Sequence, residues 1–290
     1  MLDTILAAAA EQVGADVRYG VTVTGVRRDR RGRVTGIHGY DRAGAGIDIG
    51  ARYVIGADGL RSRMAHSAGA AINEARPAGG ATQYAYYAGI QWTGMELFVA
   101  ERSFAGVFPT HHGQACIWVC TPSADAQAAR RSTGSRMEAF GELLERSAPQ
   151  LTERLRHARR TSPVQGMLRM PNQVRQAFGP GWALVGDAGY HRDAVTAHGI
   201  SDAFRDAELL AVAVDQALGA GAEETAALAL YQRQRDQALR EIFQITCRLA
   251  AYPPVPAFIE LQKQLSAAID TEAAALASRP VPGERLLATA

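Results

Sequence analysis

The chain has 290 residues, enough for one large domain or two smaller ones with a sizeable core. Hydrophobic residues make up 47% and charged residues 21%, which excludes global disorder, a collagen-like fibre and a coiled-coil rod. The formal net charge is only +2, and the densest basic run, residues 27–31, has no interleaved aromatics, so we expect no nucleic-acid partner. No run approaches the roughly 18 apolar residues of a membrane span.

The N-terminus and the cysteines predict a cytoplasmic protein. The first residues include Asp3 and Glu11 but no basic segment, which is unlike a secretory signal. Cys116, Cys120 and Cys247 form no CxxC pair, so the sequence predicts neither a disulfide framework nor a zinc site.

The first elements in chain order are a helix and several short strands. Apolar residues recur at helical spacing over residues 2–13 and predict an amphipathic helix. Strands follow at 16–19 and 21–28, and an alternating, Gly-rich segment at 32–49 predicts a hairpin or meander. The apolar run 52–56 then enters the turn Gly-Ala-Asp-Gly, which is typical of a buried parallel strand.

The middle of the chain predicts an antiparallel sheet followed by helix. Aromatic and β-branched residues are concentrated in residues 71–122. Within them, Cys116, Trp118 and Cys120 share one face of a strand, because side chains alternate along it. The next elements are a helical stretch around 123–158 and a connecting strand at 163–170.

The last third predicts one more strand and three helices. The apolar strand 182–186 again ends in Gly-Asp. Helices are predicted at 198–217, 222–250 and 256–277, with a break at Gly219 and Gly221 and a frayed, Pro-rich tail.

No glycine cluster has the context of a dinucleotide fingerprint. That motif needs a strand before its glycines and a helix after them. The cluster at 44–50 precedes a strand, that at 179–181 lies in a turn before a strand, and that at 219–221 joins two helices.

The informative segment follows the strand at 182–186. The strand places the Asp187 carboxylate at its C-terminal end, and a long helix begins near His198. A carboxylate there accepts hydrogen bonds from ribityl or ribose hydroxyls, and a helix N-terminus attracts anionic groups. The alternative is that Asp187 merely caps a strand–helix turn.

Two motifs in this chain resemble those of the FAD-dependent monooxygenase family, the p-hydroxybenzoate hydroxylase-like single-component hydroxylases. The residues in register with the family's GD motif are Gly186, Asp187, Ala188, Gly199, Ile200 and Asp206. Residues 56–62, GADGLRS, resemble its DG motif. The chain departs from the pattern in three places: Tyr190 stands in place of a His, Ala194 in place of a Pro, and the pair Ala65-His66 in place of an Arg.

The resemblance covers residues 2 to about 250 and implies an α/β fold. The fold would be an incomplete FAD-binding domain of the Rossmann-like, glutathione reductase type, with an inserted β-rich substrate domain and C-terminal helices. The strands ending at Gly56 and Gly186 should then be neighbours in one sheet. The implied divisions are 1–70 and 180–250 for FAD binding, 71–179 for substrate, and 251–290 for the last helix and tail.

The resemblance also implies the cofactor and its ligands. FAD would be reduced by NAD(P)H, and a flavin C4a-hydroperoxide would transfer one oxygen atom from molecular oxygen to a small aromatic or polyketide-like substrate. We assign no metal and no catalytic side chain; Tyr190, His191 and His198 are candidate bases. The implied cofactor-binding residues are Asp58, Gly59, Gly186, Asp187, Ala188, Thr196, Ala197, His198, Gly199 and Ile200.

Two other hypotheses remain open. A flavin-dependent halogenase or reductase would carry a related GD segment, although the WxWxIP signature of tryptophan halogenases is missing from this sequence. The family's N-terminal GxGxxG unit is also missing, so we expect a truncated chain that binds FAD poorly alone. The second hypothesis is therefore a truncated, non-catalytic remnant that cannot hold FAD alone.

Overall fold

The structure is a computed structural model that describes residues 2–219 and 223–278. The predicted break at Gly221 and the predicted frayed tail beyond residue 278 lie outside the described residues. Helices are α1 Leu2–Gln12, α2 Arg63–Ala68, α3 Ser123–Thr133, α4 Arg136–Ser147, α5 Pro149–Leu155, α6 Gly199–Leu218, α7 Glu224–Leu249 and α8 Val255–Ala277. Strands are β1 Thr22–Arg28, β2 Val34–Tyr40, β3 Gly46–Gly50, β4 Val54–Gly56, β5 Ile72–Arg76, β6 Gly80–Ala88, β7 Glu96–Ala100, β8 Ser103–Pro109, β9 Gln114–Pro122, β10 Arg159–Arg160, β11 Gln165–Leu168, β12 Asn172–Arg175, β13 Phe178–Gly179, β14 Trp182–Leu184 and β15 Tyr190–His191.

A parallel strand pair lies at the centre of the α/β part. Strand β14 pairs with β4, and Leu184 lies opposite Gly56, which confirms the predicted neighbours. Every residue of β14 is buried, as expected for a short apolar strand covered on both faces. Helices α6 and α7 pack over it through Leu210 and Tyr231, and the Tyr231 hydroxyl donates to the Leu184 carbonyl at 2.7 Å. The C-terminal ends of both strands therefore open toward the same edge.

A six-stranded antiparallel sheet forms the β-rich part of the molecule. Its strand order is β10-β6-β9-β8-β7, and β11 also pairs with β6. Alternation along β9 gives the sheet two faces. One face packs Ile117 and Val119 against α3, α4 and α5, and the other packs Trp118 near α7 and α8. Cys116, Trp118 and Cys120 share a face, as predicted.

The structure corrects one predicted element and divides another. Residues 16–19 form no strand, and the Asp16–Arg18 ion pair there is exposed to solvent. The helical stretch predicted around 123–158 is confirmed as helix and is divided into three helices. Gly134 ends the first in a left-handed conformation at φ 73°, Ser135 caps the second, and Pro149 begins the third.

Two elements near the strand ends were not predicted. Helix α2 follows β4 directly and has Ser62 as its N-cap, with the Ser62 hydroxyl accepting from the Ala65 N–H. Strands β5, β12 and β15 form an antiparallel sheet in which Gln173 lies opposite His191, so this sheet fixes the backbone of the segment after Asp187. Over the described ranges, no helix combines the length and apolar character that crossing a bilayer requires.

Candidate cofactor and substrate site

A cavity of about 730 Å³ opens where β4 and β14 end and α6 begins. We call it the strand-end cavity. The two strand-end loops and the first turn of α6 face each other across it. Its lining residues are Leu2, Asp3, Leu6, Ala57, Gly59, Val185, Gly186, Asp187, Tyr190, His191, Arg192, Asp193, Ala194, Thr196, Ala197, His198, Gly199, Ile200, Asp202, Ala203, Phe204 and Ala207. Eight of the ten implied cofactor-binding residues are among them.

Asp187 presents an open carboxylate to this cavity. Its side chain is 49% exposed, and its Oδ2 lies 3.9 Å from His191 Nε2. No hydrogen bond from the described part of the chain reaches it. Burial raises the pKa of Asp187, while the nearby His191 opposes that shift. The carboxylate oxygens are therefore available to accept hydrogen bonds from ligand hydroxyls.

The N-terminus of α6 forms the opposite wall. Helix α6 is 20 residues long, and His198 at its N-cap position makes no side-chain cap. The first N–H groups of an α-helix have no intrahelical partner, and they carry the positive end of the helix dipole. Ala197 enters the helix in a left-handed conformation at φ 50°. A negatively charged or carbonyl oxygen of a ligand suits this position.

Asp58 and Ala188 lie outside the cavity lining. The Asp58 carboxylate accepts from the Ser62 hydroxyl at 2.5 Å and from the Met64 N–H at 3.0 Å, which fixes the loop before α2. Ala188 is fully buried, and its carbonyl accepts from the Arg175 guanidinium at 3.0 Å. In this structure both residues stabilise their own loops, and contact of either with a cofactor stays a prediction.

A buried ion cluster joins the first half of α6 to the loop before it and to α8. Its members are Arg192, Asp202, Arg205, Asp206 and Glu272. Arg205 lies 2.8 Å from Asp202, 2.9 Å from Asp206 and 2.5 Å from Glu272. Arg192 pairs with the other oxygen of Asp202. The side chains of these residues are at most 11% exposed, so each carboxylate depends on its guanidinium partner.

The cluster and His198 also keep the Glu272 carboxylate ionised. Although burial raises it, the pKa of Glu272 falls to about 2 because His198 and Arg205 bond to the carboxylate. An ionised carboxylate only accepts, so His198 Nε2, 2.9 Å from Glu272 Oε2, carries the proton of that bond. His198, Asp202 and Glu272 could face a metal ion, but arginines already neutralise both carboxylates.

The three candidate bases are each engaged. Burial, with Asp202 adding to it, raises the pKa of Tyr190 well above its usual value, and its hydroxyl accepts from Arg205 at 3.1 Å. His191 Nδ1 lies 2.6 Å from the Pro171 carbonyl and donates to it, which leaves Nε2 toward Asp187. His198 is held by Glu272. A base role for any of them stays a prediction.

A second cavity, of about 500 Å³, lies between the six-stranded sheet and α8. We call it the sheet cavity. It shares Ala194, Thr196 and Ala197 with the strand-end cavity, so the two meet at one turn of backbone. Its lining residues are Thr82, Tyr84, Tyr86, Met95, Leu97, Phe104, Phe108, Cys116, Trp118, Cys120, Ala194, Val195, Thr196, Ala197, Gln262, Leu265, Ser266 and Ile269.

The sequence profile of the FAD binding domain family matches residues 1–246. The chain therefore belongs to this family, which confirms the resemblance drawn from the GD and DG motifs. No curated protein matches the chain.

Solved structures of flavoproteins share the fold. A triple mutant of the flavin-dependent brominase Bmp2 aligns at TM-score 0.79 and 17% identity, over 93% of this chain and 69% of that one. The myxobacterial chondrochloren halogenase CndH aligns at a TM-score of 0.75 and 20% identity, over 84% of this chain and 57% of that one. PqsL of P. aeruginosa, in complex with 2-aminobenzoylacetate, aligns at a TM-score of 0.67 and 21% identity, over 92% of this chain and 71% of that one. The chain spans 50–71% of the length of such neighbours.

The strand-end cavity fits the flavin end of FAD. Asp187 is an open acceptor, the α6 N-terminus is uncapped, and a Cβ added at Gly59 would meet nothing within 4 Å. Arg192 lines the cavity, and its Nε and Nη1 have no hydrogen-bond partner among residues 2–219 and 223–278. Such buried donors call for a polar ligand atom.

Sequence reasoning missed the residues of the ion cluster other than Asp206. The Asp202-to-Arg205 spacing of three residues could have indicated a pair on one helix face. Nothing local could have connected Glu272 to His198, because 74 positions separate them and only the packing of α8 brings them together.

Proposed function

We propose that this protein is an FAD-dependent monooxygenase acting on a small organic substrate. The observation that carries the proposal is the junction, at residues 194–197, of one cavity that charged residues line with a second cavity that has none. The strand-end cavity offers polar groups suited to a flavin, and the sheet cavity offers an uncharged chamber suited to an organic substrate. A substrate there would lie beside the reacting ring of the cofactor.

The residues of the strand-end cavity would bind and orient the cofactor. Bound FAD would supply the redox chemistry that activates dioxygen. Asp187 would accept hydrogen bonds from cofactor hydroxyls, and Arg192 would donate to a cofactor oxygen. The N-terminus of α6 would stabilise negative charge on the flavin ring. The apolar walls of the sheet cavity would disfavour water beside the junction, which would limit unproductive release of reduced oxygen.

The remaining components follow from this proposal. NAD(P)H is the proposed reductant and molecular oxygen the proposed co-substrate. A cytoplasmic site of action is proposed because Cys116, Cys120 and Cys247 are all free thiols in the structure.

Halogenation is the second candidate. Brominase and halogenase structures align over most of this chain at TM-scores of 0.73 to 0.79. The same two-cavity junction would serve that chemistry if a halide were oxidised there. A reductase is the third candidate, since a geranylgeranyl bacteriochlorophyll reductase-like protein aligns at 0.69.

Isotope and halide experiments separate these candidates. The 290-residue chain is incubated with FAD, NADPH or NADH, isotopically labelled dioxygen and a panel of neutral aromatic compounds, with and without bromide. Labelled oxygen in the product supports monooxygenation. A brominated product supports halogenation, and a saturated product formed without oxygen supports reduction. Absence of any FAD binding contradicts all three and leaves the non-catalytic remnant.

A further inference from the structure

Resting on the proposed function, we propose that the sheet cavity binds an uncharged aromatic compound bearing a carbonyl group. The Trp118 indole N–H and the Gln262 side-chain amide would hold the carbonyl oxygen. Acids of similar shape would be excluded.

The first argument is the absence of charge. None of the 18 residues that line the sheet cavity carries a formal charge. An ionised carboxylate there would lose its hydration without gaining a cation, which is strongly unfavourable. Burial raises the pKa of Cys116 to about 11 and that of Cys120 to about 12, so both thiols also stay neutral near pH 7.

The second argument is the pair of donors that the fold leaves without partners. Trp118 is 7% exposed, and its Nε1 is buried with no acceptor among the described residues. Gln262 Nε2 is likewise buried without a partner in that part of the chain. Both side chains line the sheet cavity. Each unpaired donor calls for an acceptor, and a carbonyl oxygen has two lone pairs to offer.

Three other polar side chains in the lining are already engaged. The Tyr84 hydroxyl donates to Gln165 Oε1 at 2.8 Å, and Thr82 Oγ1 lies 3.1 Å from Cys120 Sγ. Thr196 Oγ1 lies 3.4 Å from Thr246 Oγ1. The Tyr86 and Ser266 hydroxyls also line the cavity without a hydrogen bond among the described residues, but only the Trp118 and Gln262 donors are both buried and unpartnered, so they gain most from a ligand acceptor.

The Trp118 ring is held in a fixed orientation. Its centroid lies 4.9 Å from that of Phe104 and 5.2 Å from that of Phe108. A Cβ added at Gly106 would come within 2.6 Å of Trp118 Cζ2, so a glycine makes room for the indole. These rings also give a flat aromatic ligand edge and face contacts. Met95 and Leu97, which are 67% and 49% exposed, extend the apolar lining toward solvent.

Three probes of matched shape test the proposal: 2-acetylnaphthalene, 2-isopropenylnaphthalene and 2-naphthoate. Binding to the 290-residue chain is measured by isothermal titration calorimetry without FAD. We expect the ketone to bind about fivefold more tightly than the hydrocarbon, the gain from one or two hydrogen bonds, and the acid to bind most weakly. Equal affinities for ketone and hydrocarbon, or tighter binding of the acid, would overturn the proposal, as would absence of ketone binding.

Single substitutions locate the donors. Trp118→Phe keeps an aromatic ring but removes the N–H, and Gln262→Leu removes the amide; each should reduce the ketone preference toward unity while leaving hydrocarbon binding nearly unchanged. Trp92→Phe, on the opposite face of the sheet, and Gln264→Leu, exposed on α8, are the matched controls. Should Trp118→Phe fail to fold by circular dichroism, Gln262→Leu alone decides. An unchanged ketone preference in Gln262→Leu would then count against the site.

This test is independent of the redox chemistry. A ketone preference that depends on Trp118, in a chain without oxygenase activity, would support the pocket and contradict the proposed function. Oxygenase activity together with equal ketone and hydrocarbon affinities would support the proposed function and contradict the proposed ligand of the sheet cavity.

Discussion

The strand-end cavity and the sheet cavity share three residues but are built by opposite means. The first is bounded by loops at strand ends and rests on a buried ion cluster, so its polarity comes from backbone N–H groups and paired charges. The second is bounded by alternate side chains of β6, β8 and β9 together with α8, and none of its lining residues is charged. Charged groups are therefore placed where strands end, and an uncharged lining where strands pair.

The two cavities should also differ in their tolerance of substitution. A side chain removed from the ion cluster leaves a buried charge without its partner, whereas a conservative change in the sheet cavity alters only packing or one hydrogen bond. The following experiments measure this difference.

The largest effect is expected for Arg205→Leu. The substitution leaves Asp202, Asp206 and Glu272 without a shared cation, and we expect the free energy of unfolding to fall by about 3–5 kcal/mol. Denaturant unfolding measures it. Arg102→Leu is the control, because Arg102 is 54% exposed in its pair with Asp125 and its loss should cost under about 1 kcal/mol. Equal losses in the two variants would remove the contrast between buried and exposed pairs.

Asp187→Ala should affect the cofactor rather than the fold. The loss of a charge-assisted hydrogen bond to a flavin hydroxyl should weaken flavin binding by about 1.5–3 kcal/mol, while the unfolding midpoint changes little. Quenching of flavin fluorescence on titration measures the affinity. Asp215→Ala, exposed on α6, is the matched control. Unchanged flavin affinity in Asp187→Ala would leave the residue as a turn cap only.

The sequence predicted the lining of the strand-end cavity better than it predicted the ion cluster beside it. The GD and DG motifs are local, so eight of the implied residues could be placed at the cavity from their positions in the chain. Asp58 and Ala188 could not be judged, because whether a carboxylate faces a ligand or its own loop depends on the turn into α2. The sheet cavity could be anticipated only through the shared face of Cys116, Trp118 and Cys120.

Contacts between distant segments were beyond sequence reasoning. The helical stretch 123–158 was predicted correctly as helix, but its breaks at Gly134 and Pro149 were missed although both residues commonly end or begin helices. The strand predicted at 16–19 failed because a strand needs a neighbour, and periodicity gives no information on pairing.

The variant Glu272→Gln tests the ion cluster through the pH dependence of the free energy of unfolding. The pKa of Glu272 is lowered from 4.5 to about 2, so its ionised form stabilises the fold fully above pH 4.5 and progressively less as the pH falls toward 2. We expect the variant to be about 1–2 kcal/mol less stable than the parent at pH 7, with the difference shrinking below pH 4.5. Glu260→Gln, exposed on the same helix, should show little change. A difference independent of pH would show that Glu272 acts through packing alone.

The smallest effect is expected when the adenosine end of the cofactor is removed. The strand-end cavity offers Asp187 and the α6 N-terminus to the ribityl and isoalloxazine parts, but the sequence contains no GxGxxG in a strand–turn–helix context to bind a pyrophosphate. Riboflavin and FAD should therefore bind the 290-residue chain weakly and with affinities within about threefold of each other. Asp187→Ala should weaken both equally, since its contacts lie in the part that they share. Parallel fluorescence titrations measure this, and much tighter binding of FAD than of riboflavin would reveal an adenosine site that the strand-end cavity does not provide.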